Sequence, residues 1–141
     1  EEQKAKLDPG LRKMMEEGNK IDKKAFMQAT AARGTLGSQM RVFMETYDFL
    51  VTPQVATPAF EVGQVTPLDD DGRAWMAWSP FTYPFNLTQQ PAASVPCGFT
   101  KDGLPVGLQI VGRMFDDEGV LNASAAYELA DPHYEKTPKG F

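Results

Sequence analysis

Phe26, Ala29, Arg33, Leu36, Met40 and Phe43 follow one another at intervals of three and four, which sets them on one face of a helix. Asp22 stands just ahead of that stripe and can cap the free amides of a first turn. A long helix is predicted, packed on something large. Gly34 and Gly37 lie inside it and cost up to about 1 kcal/mol each relative to Ala, so they predict close backbone packing or a kink. A shorter helix is predicted over residues 9–17: Asp8 is its cap, Pro9 suits a first helical position, and Gly18 is a stop.

The pattern then changes from helical spacing to short apolar runs. "YDFLVTP" predicts a buried strand over residues 48–52, stopped by Pro53. "AASVPCGF" and "LPVGLQIVG" flank "TKDG", where Asp102-Gly103 signals a hairpin. In its second arm Leu104, Val106, Leu108 and Ile110 share one face, and Pro105, Gly107, Gln109 and Val111 the other. Neither face carries a charge, as in a sheet covered by helices on both sides. Between strand and hairpin, a proline-broken segment over residues 53–72 ends in Asp69, Asp70 and Asp71, read as a solvated tip. The densest aromatic stretch follows, with Trp75, Trp78, Phe81, Tyr83 and Phe85 in "RAWMAWSPFTYPFN". A last helix opens at Asp116 or Asp117, aligns Leu121, Ala125 and Leu129 on one face, and stops near Pro132. Residues 1–141 form a single region, with a helical lead-in over 1–21 and a flexible tail over 132–141.

Composition narrows the function classes. A chain of 141 residues that is 42% hydrophobic and 23% charged is globular, and its net charge of −5 argues against a nucleic-acid or anionic-membrane surface. One cysteine, Cys97, cannot form an intrachain disulfide, and one histidine, His133, gives no zinc-ligand spacing. The expectation is a reducing, cytoplasmic setting without a bound metal. No apolar run approaches a membrane span. The start lacks Met, which predicts a fragment or a processed product.

"YDFLVTP", then "FNLTQQPAASVPCGFTKDGLPVGLQIVGRMFDDEGVL" and "AAYE", closely resemble the C-terminal part of amidase-signature hydrolases, in order over residues 22–128 and most specifically over 85–112. The resemblance implies an α/β fold: the C-terminal portion of an α/β/α sandwich with a mixed central sheet. It further implies an enzyme that cleaves carboxamide C–N bonds through an acyl-serine intermediate, using a Ser, a second Ser on a cis peptide and a Lys, with no cofactor. In that family those residues lie far upstream of the part matched here, and Ser38, Ser79, Ser94 and Ser124 are isolated. No catalytic residue is therefore assigned to this chain, which alone is expected to be inactive. Where many members carry Thr-Gly-Gln-Pro, this chain has Thr88-Gln89-Gln90-Pro91, with Gln where Gly would allow φ above zero.

By analogy with the family, this part supplies core strands and one wall of a substrate pocket. Core packing and pocket lining both suit the aromatic cluster; Trp78 and Phe81, with Trp75, are the pocket candidates. Asn86 and Gln109 are polar among apolar neighbours and are read as structural hydrogen-bonding groups if buried. Arg33, on an apolar stripe, is read as meeting a carboxylate or a row of carbonyls rather than a substrate carboxylate. Cys97 reads as a structural free thiol and His133 as a surface residue. The partners implied are a small-molecule amide substrate and the upstream N-terminal portion, without nucleic acid or membrane. An exposed strand edge and apolar face predict self-association. Two other functions fit the same residues: a non-catalytic interaction module pairing with a separate N-terminal piece, and the amidase subunit of a tRNA-dependent amidotransferase.

Overall fold

The computed structural model describes residues 6–64, 67 and 78–137. Two acid-capped helices come first, α1 (Pro9–Gly18) and α2 (Lys23–Met44). The Asp8 carboxylate accepts from Leu11 N at 3.1 Å and that of Asp22 from Ala25 N at 2.7 Å, each satisfying an amide that the first turn leaves unpaired. One continuous helix runs through Gly34 and Gly37. No heavy atom lies within 4 Å of where a Cβ would stand at either, so the expected close backbone packing is not formed among the described residues.

The α2 stripe is also open. Phe26 is 63% exposed and Phe43 is exposed, while Met44, on the last turn, is buried. The physical reason is that α2 meets the rest of the chain through its C-terminal turn and one short helix, α3 (Tyr83–Thr88), leaving much of its apolar face without a partner element.

The sheet has three strands, β1 (Leu50–Pro53), β2 (Ala92–Phe99) and β3 (Pro105–Val111), in the order β1-β3-β2. Both pairs are antiparallel, so β1 and β2 run parallel to each other across β3. The chain is thus α/β, mixed helix and strand, with a small sheet whose pairs are all antiparallel among the described residues. The hairpin turns at Gly103, whose φ of 87° is the left-handed conformation that the Asp-Gly pair predicts. Thr100 N donates to the Leu104 carbonyl at 2.8 Å and closes the turn. Pairing slips by one residue between Pro96 and Gly98, which makes Cys97 the extra residue of a bulge. Gln109, Ile110 and Val111 are all buried, so both faces of β3 are covered at this end.

The last helix, α4 (Asp117–Ala130), starts where Asp116 accepts from Gly119 N at 3.0 Å and packs on β2 and β3. It buries Val120 and Ser124, whereas Leu121 and Leu129, 67% and 82% exposed, look away from the sheet. Gly112 lets α4 approach: a Cβ there would fall 2.5 Å from Val120 Cγ2. Arg113 ties β3 to the end of α2, donating through Nε to the Met44 carbonyl at 2.9 Å and through Nη2 to Asp48 Oδ1 at 3.1 Å. A cation at a helix C-terminus is favourably placed against the helix dipole. Beyond α4, residues His133–Glu135 form a 3-10 turn against β2. His133 Nε2 stands 2.8 Å from Asp131 Oδ2, with only 18% of the side chain exposed, so this histidine is tucked against the protein rather than set on its surface.

Candidate functional site

Gln109 organises the polar side of the sheet. Only 3% of it is exposed, and its Nε2 donates to Thr52 Oγ1 and to the Phe81 carbonyl, both at 2.9 Å. Its register partners are Thr52 on β1 and Ser94 on β2, so the three side chains form one row across a single face. One pair further along, Gly107 keeps this face open: a Cβ there would stand 2.8 Å from Ser94 Oγ and 3.3 Å from Gln54 Cβ. A hollow of about 410 Å³ lies over the Gln109 row, bounded by Gln54, Thr82, Phe85, Asn86, Ser94 and Gln109, and among the described residues no charged side chain lines it.

The rim of the hollow is α3, which is fixed at both ends. Thr82 Oγ1 donates to the Ser79 carbonyl at 2.9 Å before it, and after it Gln90 Nε2 donates to the Gly112 carbonyl at 2.9 Å. Thr88 Oγ1 in turn donates to Gln90 Oε1 at 2.9 Å. Between them Gln89 adopts φ 62° and ψ 35°. The left-handed turn is thus formed with Gln in place of Gly, at a cost of order 1 kcal/mol.

The structure brings Asn86 and Gln109 together at this hollow, whereas Phe81 meets it through its backbone carbonyl, the acceptor from Gln109, and not as a lining side chain. Asn86 is exposed on the rim and its side chain makes no hydrogen bond among the described residues, so it is not a buried structural bridge. Trp78 is half-buried, edge-on to Phe60 with ring centroids 5.8 Å apart, and its carbonyl accepts from Ala56 N at 3.0 Å. Trp75, like the acidic run Asp69 to Asp71, lies outside the described residues. Arg33 is elsewhere. Its Nε donates to the Leu87 carbonyl at 2.9 Å, in a separate groove between α2 and α3. Gln54, Gln90 and Ser94 escape a reading of the sequence, although the alternation of β2 does set Ser94 level with Gln109.

Among the described residues, Ser38, Ser124 and Cys97 each bond a backbone carbonyl rather than a base. Ser38 and Ser124 donate back to their own helices, at the Gly34 and Val120 carbonyls, 3.1 and 2.8 Å away. The Cys97 thiol donates to the Val106 carbonyl at 3.5 Å. Burial, and then the negative charge of Asp131, push its pKa above the ordinary thiol value, the opposite of what a nucleophilic cysteine needs.

This fold has clear relatives. The chain belongs to the amidase family, whose family model matches residues 2–121. It is 37% identical, over 98% of its length, to an acylamidase of Rhodococcus erythropolis, of which it covers 30%. It is 39% identical, over 81% of its length, to a glutamyl-tRNA(Gln) amidotransferase subunit of Oceanobacillus iheyensis, of which it covers 23%. Among solved structures, 6-aminohexanoate cyclic dimer hydrolase superposes on 94% of the chain with a TM-score of 0.79 at 26% identity, and the chain covers 30% of it. A bacterial aryl acylamidase of the amidase-signature family superposes on 91% with a TM-score of 0.77 at 30% identity, and the chain covers 27% of it. The chain therefore spans between 23% and 30% of the length of these relatives. Among the described residues, no helix is long and apolar enough to cross a membrane.

Proposed function

We propose that this chain is the C-terminal portion of a cytoplasmic amidohydrolase that cleaves carboxamide C–N bonds without a cofactor. A serine supplied by the upstream portion attacks the carbonyl, the amine or ammonia leaves with a proton, and water then releases the acid from the acyl-serine. The residues described here contribute strands to the core and a wall to the pocket, with Phe81 and Trp78 as lining side chains and Arg33 and Gln109 as polar supports. Membership of the family over residues 2–121 is the observation that carries this reading.

The likeness to an amidotransferase subunit supports a second reading, in which ammonia is delivered to a partner. The acylamidase likeness runs over 98% of the chain rather than 81%, which favours the stand-alone hydrolase. The two are separated by expressing the complete reading frame alone. Release of amine or ammonia from simple amides by that protein supports the hydrolase, and release only with added partner subunits supports the amidotransferase. A serine-directed fluorophosphonate should label the complete protein and leave the 141-residue chain unlabelled; a label on this chain would put the nucleophile here. Trp78→Ala in the complete enzyme should change the ranking of amide substrates, and an unchanged ranking removes Trp78 from the wall.

A further inference from the structure

The segment after α4 is tied back by a hydrogen-bonded chain through the one histidine of the sequence. Lys136 Nζ lies 3.2 Å from His133 Nδ1, and His133 Nε2 lies 2.8 Å from Asp131 Oδ2. An ammonium only donates and a carboxylate only accepts, so the ring between them accepts at Nδ1 and donates at Nε2. That is the neutral imidazole in its Nε2–H form. A proton on Nδ1 would set an N–H against the ammonium and leave the bond to Asp131 in place. The two links also differ in setting. The His133 ring lies over Gly98, where a Cβ would stand 3.8 Å from Cε1, beside the bulge at Cys97. Lys136 is half in water, and its other contact, to Asp131 Oδ1, is longer at 3.7 Å. An exposed ion pair contributes little, so a like charge on the ring outweighs it. The other titratable groups that sense Asp131 are the Cys97 thiol on β2 and the Tyr127 phenol on α4. Burial is the main cause that raises the pKa of each; Asp131 adds to it for Cys97, and Cys97 and then Asp131 for Tyr127. Glu135 and Glu128 act on Tyr134 instead. Thiol and phenol therefore stay uncharged near neutral pH, where an imidazole is the side chain that changes charge.

We propose that this cluster is a pH-sensitive latch: while Nδ1 carries no proton it holds Lys136 and the segment that follows, and a proton on Nδ1 releases both, with Asp131 keeping the ring seated on β2. No step of it uses the hydrolase reaction, so the two readings stand or fall separately. The test is NMR of the complete protein labelled with 15N, with the His133 signals assigned from His133→Gln. At the alkaline end Nδ1 should resonate as a bare nitrogen and Nε2 as one that carries hydrogen. Between about pH 8 and about pH 5, the range in which an imidazole changes charge, Nδ1 should gain its proton. The order parameter of the Thr137 amide should fall with it, from about 0.85 to below about 0.6. Lys136→Met should leave Thr137 mobile across the whole range, and His133→Gln should remove the pH dependence. The opposite tautomer at alkaline pH overturns the proposal without recourse to any variant. So does a Thr137 order parameter that ignores protonation of Nδ1, or one whose pH dependence survives in His133→Gln.

Discussion

The sheet and the long helix α2 solve the burial problem in opposite ways. Both faces of β3 are covered at one end, with Gln109, Ile110 and Val111 all buried, whereas the 22 residues of α2 bury one side chain, Met44. The sheet is held by packing. The helix is held at separate points, through Asp22 at the start, Arg33 in the middle and Arg113 at the last turn. Burial stabilises in proportion to the apolar area removed from water, so losses within this chain should follow the sheet rather than the helix stripe.

Substitutions can break or sharpen that contrast. Ile110→Ala empties a buried site on β3 and should cost about 2–5 kcal/mol in urea unfolding. A loss no larger than that of a surface residue would mean that the sheet is not the stable half. Gln109→Leu keeps the bulk but leaves the Phe81 carbonyl without its donor, at a cost of about 1–3 kcal/mol; if stability is unaffected, the Gln109 row does not anchor the aromatic segment. Gln89→Gly relieves a left-handed non-glycine residue and should raise stability by roughly 0.5–1 kcal/mol, read as an increase in Tm. Phe26→Ser should change stability by less than about 0.5 kcal/mol because the ring is already in water. The same change should weaken self-association on sedimentation, and a parent chain that stays monomeric at every concentration would refute the sticky-face expectation.

Local signals are legible in the sequence and distant ones are not. Asp8, Asp22 and the Asp102-Gly103 turn act on amides within a few residues, so their chemistry is written in consecutive letters. The six-residue helix α3 leaves no such trace, because it is too short for periodicity and is held by Gln90 reaching to Gly112. Gln109 can be recognised as polar among apolar neighbours, yet its partners, Thr52 and Phe81, are 57 and 28 residues away and only the fold names them. The helical stripes of α2 and α4 are visible as periodicities. Spacing states that a face exists and not what covers it, which is why Phe26 and Leu129 lie in water here.

The order β1-β3-β2 carries a last consequence. Everything between Pro53 and Ala92, the aromatic segment included, is one excursion from an outer strand back to the opposite edge of the same small sheet, and neither pairing depends on how long that excursion is. The closure entropy of a flexible loop rises by only about 0.6 kcal/mol for each doubling of its length. Mutation can therefore lengthen, shorten or re-letter this segment while the frame that carries it keeps its register, so that segment and frame are free to drift on separate clocks.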